Sequence, residues 1–191
     1  KNSMGDYLDR YLDRGIDKVL ELTGESELSV CGYCLGAMMS LLYTASYPEK
    51  VKNLILLTPP VDFDDDGVLT KMTQPKYFDV DRIVNHFGNI IPSEFIQTGF
   101  DFKNALGNMM TPISNWNIFW NKKALKDFFP MHHWVNDNVP IGAEFWREYI
   151  KKFYMENSFM KNNVSINGLK LDFKKITCPV YQNSPSMHPR S

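Results

Sequence analysis

Residues 27–60 read ELSVCGYCLGAMMSLLYTASYPEKVKNLILLTPP, and the order of patterns within them decides the fold. Glu27–Cys31 is a short strand candidate. Gly32–Gly36 (GYCLG) is a tight turn. Leu35–Tyr47 is rich in small and apolar residues, the composition of a buried helix, and Pro48 closes it. Asn53–Thr58 (NLILLT) is almost wholly apolar, which predicts a strand covered on both faces, and Pro59 and Pro60 stop it. Strand, turn, helix, strand is a βαβ crossover, so the fold class is α/β with a parallel sheet.

Working outward, residues 4–22 predict an amphipathic helix. Met4, Tyr7, Leu8, Tyr11, Leu12, Ile16, Val19 and Leu20 recur at three- and four-residue spacing. Asp6, Asp9, Arg10, Asp13, Arg14 and Asp17 lie on the other face, expected to be solvated, and Gly24 is the expected stop. Beyond Pro60 an acidic loop, DFDDDG, precedes a long run of aromatic-rich helical pieces broken by Pro92, Pro112, Pro130 and Pro140. Its clearest piece is 141–159, where Ile141, Phe145, Trp146, Tyr149, Ile150, Phe153 and Tyr154 form one stripe. Leu171–Val180 (LDFKKITCPV) returns to a sheet-like pattern, with Cys178 expected as a buried strand residue. These shifts divide the chain into a core piece at 1–78, a helical cap at 79–172, and a return strand with a divergent tail at 173–191.

Composition bounds the function. The 191 residues are 43% hydrophobic and 23% charged, which is globular and excludes a disordered or low-complexity chain. A net charge of -1 offers no general attraction for nucleic acid or an anionic membrane. No apolar run reaches the roughly 20 residues of a membrane span, and residues 1–15 lack the apolar centre of a secretory signal. Three cysteines is an odd count, which fits a reducing compartment better than a closed disulfide framework. Of the 26 aromatic residues, 16 lie between His86 and Phe159, and every Trp is among them. That concentration predicts a distinct apolar segment, one that packs on a partner domain or covers a cleft.

The chemistry centres on Gly32-Tyr33-Cys34-Leu35-Gly36, a G-x-C-x-G between strand and helix. This is the pattern of a nucleophile elbow, in which the central residue turns sharply from strand to helix and stands exposed above the sheet. Gly32 and Gly36 are expected to remove side chains that would collide at the turn. The amide of Leu35 is placed to serve as half of an oxyanion hole. The positive end of the following helix favours a thiolate on the central Cys34, a good nucleophile toward a thioester. The same stretch leaves two alternatives open. Cys34 could be a structural cysteine in an ordinary βα turn, or Cys31 and Cys34 (CGYC) could form a thioredoxin-like redox pair.

With these residues in view, residues 4–180 resemble the catalytic subunit of polyhydroxyalkanoate synthases, most closely the two-subunit class. The resemblance rests on Gly32, Tyr33, Cys34 and Gly36, then on Tyr47, Pro48, Leu57, Pro60, Asp62 and Phe63. It continues through NWNIFWN and HHWVNDNVPIGAEFWREYIKKFY (His132–Tyr154), and ends at KITCPV, similar to the strand that leads to the family's catalytic aspartate. The resemblance implies an α/β-hydrolase fold with an inserted aromatic helical cap. It implies an acyltransferase that polymerises (R)-3-hydroxyacyl-CoA into polyester and releases CoA. Cys34 would hold the acyl group as a thioester, the Leu35 amide would stabilise the oxyanion, a histidine would act as base and an aspartate would assist the substrate hydroxyl. No cofactor and no metal are implied, CoA being part of the substrate. The implied partners are a second synthase subunit, the polyester granule surface and further copies of the chain, and the implied location is cytoplasmic and granule-associated.

The sequence departs from the family after Val180. The tail YQNSPSMHPRS carries no Asp, and its only imidazole, His188, sits in a Ser/Pro-rich stretch with no expected strand to position it. His132 and His133 are expected to be packing or surface residues, His86 carries no signal, and Asp62 with Asp64–Asp66 is expected to be a turn-forming loop. The expectation is therefore a synthase fragment with elbow and cap but without the catalytic Asp and His. Two further readings remain beside it: a cysteine-elbow esterase or thioesterase of the same fold, and a non-catalytic interaction fragment.

Overall fold

The computed structural model describes residues 2–64, 68–103 and 122–183. Expectations that fall on NWNIFWN, on Pro112, on Asp65–Gly67 and on His188 lie outside them. The chain divides into two compact units, residues 65–147 and residues 2–64 with 148 onward. The division thus falls after Asp64 and Arg147, whereas the sequence pattern suggested boundaries after 78 and 172. The reason is the aromatic stripe. Phe63 meets Tyr149 at 6.1 Å, Phe153 at 6.0 Å and Tyr154 at 4.7 Å between ring centroids, so the latter half of the stripe packs on Phe63, in the unit that holds the sheet.

The unit that holds the sheet opens with a π-helical stretch, Asp6–Leu12, that runs into α1 (Asp13–Thr23). Met4, Leu8 and Ile16 are buried while Tyr11 and Val19 are exposed, so the buried stripe is narrower than the apolar pattern. Gly24 ends the helix with φ 73°, a conformation that costs glycine nothing. Then follow β1 (Leu28–Tyr33), α2 (Leu35–Ser46) and β2 (Val51–Leu57). β1 pairs parallel with β2, and Tyr33 stands opposite Leu57. The predicted βαβ crossover is the observed one.

The final strand, numbered β7 in chain order, is Val180–Asn183, and it pairs parallel on the other side of β2, with Leu54 opposite Val180 and Leu57 opposite Asn183. The return strand therefore begins where the family pattern was expected to end. Phe173–Lys175 form a 3-10 turn, and Cys178 is half-buried in the bend before the strand rather than buried within one. α2 covers the sheet face that bears Val30, Gly32, Leu54 and Leu56, all buried. On the opposite face Cys31 and Tyr33 are exposed and Ile55 and Leu57 half-buried, so β2 is not covered on both faces by the described residues.

The acidic face of the first helix is not simply solvated. Tyr47 donates its hydroxyl to Asp9 at 2.9 Å, Tyr43 donates to Asp13 at 2.8 Å, and Lys50 bridges Asp13 and Asp17 at 2.7 and 2.6 Å. Burial first, and then the bonds to those carboxylates, raise the Tyr43 phenol well above its ordinary range and Tyr47 to about 12. Burial opposes the charge on Lys50, but its two aspartates outweigh that and its pKa is raised. All three groups have folded values above their unfolded ones, so their contribution is complete below the unfolded values and fades as pH climbs toward the folded ones. Melting temperature, followed by circular dichroism, should hold steady up to the unfolded phenol value of 10.0 and fall above it. Combining Tyr43→Phe with Tyr47→Phe should make that alkaline fall shallower while Lys50 and Tyr149 keep their share of it, and an unchanged slope would count against the clamp.

A two-residue hairpin also belongs to this unit. β5 (Ser165–Ile166) and β6 (Leu169–Lys170) flank Asn167 and Gly168, both with positive φ, 52° and 79°. That is the Asn-Gly pattern of a type I′ turn. Asn167 donates to Asp9 at 2.8 Å and lies directly over Gly5, where any Cβ would collide with its side chain.

The other unit is helical: α3 (Val68–Met72), α4 (Val80–Phe87), α5 (Ser93–Lys103), α6 (Lys122–Asn136) and the start of α7 (Ala143–Tyr149). β3 (Ile90–Ile91) and β4 (Ile141–Gly142) pair antiparallel. Its core gathers Val80, Val84, Ile91, Phe145 and Trp146, with Phe78 and Phe95 each 5.9 Å from Trp146 between centroids. Pro130 was expected to break a helix, yet it lies inside α6. A proline there removes one backbone bond and kinks the helix without ending it.

Candidate active site

β1 delivers the central residue of GYCLG to the sheet's C-terminal edge. Cys34 has φ 52° and ψ −119°, and a side chain there strains against its own backbone. The surroundings enforce it. The Cys34 amide donates to the Leu57 carbonyl at 2.9 Å, while its own carbonyl accepts from Ala37 and Met38 at 3.0 and 3.2 Å and so starts α2. The thiol is left exposed. The amide of Leu35, first residue of α2, is among the opening N–H groups that helix bonding leaves over. Cys34, Leu35, Gly32 and Gly36 therefore stand together where strand meets helix.

The two glycines are not equivalent. A Cβ at Gly32 would run into the Gly36 carbonyl oxygen and come within 2.6 Å of the Ala37 α-carbon. At Gly36 a Cβ would meet nothing within 4 Å, so the collision expected there does not occur. Only Gly32 is needed for the close approach of strand and helix. Cys31 lies three residues earlier in the extended strand. At about 3.3 Å of rise per residue its α-carbon is about 10 Å from that of Cys34, beyond the roughly 7 Å that a disulfide tolerates. This geometry opposes the redox pairing.

An aromatic cluster of the same unit reaches toward the thiol through Tyr149. Tyr149 lies close enough to Cys34 for charge on the sulfur to act on its phenol. Burial foremost, then Tyr154 and Cys34, push its phenol well above the ordinary range and keep it a neutral hydroxyl. Tyr149 and Tyr154 rings are 5.5 Å apart, and Phe63 and Phe153 complete the cluster, with Phe159 stacked on Phe153 at 4.8 Å. Sequence spacing placed Tyr149 on an apolar stripe, but nothing in that spacing tied it to Cys34. Asn157, with φ 49°, is a second residue that the sequence pattern missed. Its side-chain oxygen accepts the Phe63 amide at 3.3 Å and its amide donates to Asp62 at 3.0 Å. Asp62 also accepts from the Asp64 amide, and these bonds, that of Asp64 first, hold its carboxyl below the usual range. It forms the turn that was expected, pinned by Asn157.

Among the described residues, the unit that carries Cys34 contains no histidine. His86 and His133 belong to the helical unit, where His86 stacks edge-on against Phe87 at 5.1 Å and His133 is exposed. Among those residues no group of three or more His, Cys, Asp or Glu could hold a metal, and no helix is long and apolar enough to cross a membrane.

Comparison with known proteins extends this geometry. A family model for the alpha/beta hydrolase fold matches residues 2–104. The chain is similar to the poly(3-hydroxyalkanoate) polymerase subunit PhaC of Haloferax mediterranei, 30% identical over 94% of this chain and 37% of that protein. The PhaC subunit of Haloarcula marismortui is 29% identical over 94% of this chain and 38% of its own length. That of Allochromatium vinosum is 33% identical over 93% of this chain and 50% of its own length. The chain thus spans from 37% to 50% of the length of these curated relatives.

Proposed function

The chain belongs to the α/β-hydrolase fold family, and from that premise we propose that Cys34 is the nucleophile of an acyltransferase that polymerises (R)-3-hydroxyacyl-CoA. The observation that carries this reading is an exposed thiol held at positive φ between β1 and α2, with the Leu35 amide beside it. Similarity to polymerase subunits over nearly the whole chain supports the substrate class. The Cys34 sulfur attacks the thioester carbonyl. Its S–C bond forms as the carbonyl π pair moves onto oxygen, where the Leu35 amide stabilises it. When the carbonyl re-forms, the bond to CoA sulfur breaks and the proton that leaves Cys34 ends on the CoA thiol. Transfer to the 3-hydroxyl of another unit then forms an ester, breaks the Cys34 thioester and returns the hydroxyl's proton to the Cys34 sulfur. No cofactor or metal enters these steps, and no described residue is assigned as the base.

A thiol suits this cycle because the bonds made and broken at sulfur are of similar energy. The Phe63–Tyr149–Phe153–Tyr154 cluster, which reaches toward Cys34 through Tyr149, supplies apolar surface on which an acyl chain can lie. The relatives' names describe subunits, which supports a partner subunit for this chain. The same reading includes binding to a cytoplasmic polyester granule and self-association. Incubation with (R)-3-hydroxybutyryl-CoA should release CoA and yield oligomeric ester. Free hydroxy acid as the sole product would favour the thioesterase reading instead.

A further inference from the structure

The chain leaving β2 is fastened to the turn that follows Tyr154, and one side chain does the fastening. Asn157 accepts the Phe63 amide at 3.3 Å and donates to the Asp62 carboxylate at 3.0 Å, across 94 and 95 residues of sequence. Its own backbone amide donates to the Phe153 carbonyl at 3.0 Å. The clasp sets Phe63, 4% exposed, against Tyr149, Phe153 and Tyr154.

Asparagine is not there for its backbone alone. Its φ of 49° is one that glycine takes at no cost. What the turn uses is the side-chain amide, whose oxygen and nitrogen are bonded to successive residues of one loop. The backbone before Asn157 serves the same placement. Ile150–Met155 is π-helical and runs directly into Glu156. Residues five apart in an α-helix lie about 140° apart around its axis. The i→i+5 bonding of a π-turn narrows that angle, and Tyr149 and Tyr154 meet at 5.5 Å between centroids. π-turns of this kind gather at functional sites. The clasp and the π-turn thus converge on Tyr149, the ring that adjoins the Cys34 thiol.

Resting on the acyltransferase reading above, we propose that Asn157 is a positioning residue for Cys34: by clasping Asp62 and Phe63 it holds Phe63 against Tyr149, and so sets the surface on which the acyl chain of the Cys34 thioester lies. The test uses the 191-residue chain. Asn157→Gly removes both bonds and keeps the backbone angle. Phe63→Leu removes the ring on which the clasp acts. Asn162→Gly makes the same exchange at the same φ, outside the clasp. Acylation of Cys34 by (R)-3-hydroxybutyryl-CoA is followed by mass spectrometry, and ionisation of the tyrosines by ultraviolet absorbance.

Asn157→Gly should acylate about ten- to a hundredfold more slowly, the range for reacting groups displaced by about 1 Å, while Asn162→Gly matches wild type. Asn157→Gly joined to Phe63→Leu should be no slower than the slower single variant, because both act through one contact. In Asn157→Gly one more phenol than in wild type should ionise near the ordinary value of 10.0, as water reaches Tyr149, and adding Tyr149→Phe should remove that phenol. A loss of stability alone moves no phenol while the chain stays folded.

Wild-type acylation in Asn157→Gly overturns the assignment and leaves the Cys34 reading standing. Equal slowing in Asn162→Gly, or losses that multiply in the double variant, overturns it as well. An unchanged phenol titration in Asn157→Gly overturns it whatever the acylation rate. The absence of any adduct on wild-type Cys34 overturns both this assignment and the acyltransferase reading.

Discussion

Cys34→Ala is expected to abolish CoA release from (R)-3-hydroxybutyryl-CoA, with a loss of about ten-thousandfold or more, the scale seen when a nucleophile is removed outright. The size follows from the chemistry. Without the sulfur there is no atom to take the acyl group, and the Leu35 amide has no tetrahedral oxyanion to bind. Folding should be nearly untouched, because the thiol is exposed. A melting temperature within about 2 °C of wild type is expected, which separates lost chemistry from lost structure. Cys34→Ser keeps the elbow but offers a hydroxyl whose proton is far harder to remove, and it should lose most of the activity as well. Undiminished CoA release by Cys34→Ala would falsify the assignment of the nucleophile.

Gly32→Ala should be the most damaging single methyl in the sheet unit. The added carbon meets the Gly36 carbonyl and the Ala37 α-carbon, and both are backbone, so no side chain can rotate away. α2 would have to lift from the sheet, loosening the contacts of Ala37, Met38 and Leu42, all fully buried. Overpacking of this kind costs about 3 kcal/mol, which lowers the melting temperature by about 6–12 °C in a chain of this size. Gly36→Ala is the internal control. Its Cβ has open space and alanine favours a helix over glycine by about 0.8 kcal/mol, so its melting temperature should hold or rise. Thermal unfolding of the two variants decides the matter, and equal losses at both positions would contradict the geometry.

Much of the sheet unit is legible from residue order. The βαβ crossover was readable because small and apolar residues mark α2 and apolar residues bounded by prolines mark β2. The elbow was readable because strand, glycine and helix follow each other within a few residues. The hairpin at Asn167–Gly168 carried a local turn signal that the aromatic stripe overshadowed. The site was less legible. Gly36 fits the elbow pattern, yet the steric need falls on Gly32 alone. Asn157 offers no sign in its own neighbourhood that it will pin Asp62 and Phe63.

What the sequence determined by itself is whatever near neighbours decide: the helices and strands around Cys34, the stop at Gly24, and the sharp turn that exposes the thiol. Periodicity and backbone sterics act over a few residues, so they can be read along the chain. Only the tertiary structure decided which charges and rings meet. It gave Asp9, Asp13 and Asp17 their tyrosine and lysine partners, divided the aromatic stripe at Arg147, brought Tyr149 to Cys34 and fastened Asn157 to Asp62 and Phe63. These outcomes depend on contacts between residues distant in the chain, and on the desolvation that follows when those residues pack. Neither leaves a mark in local spacing.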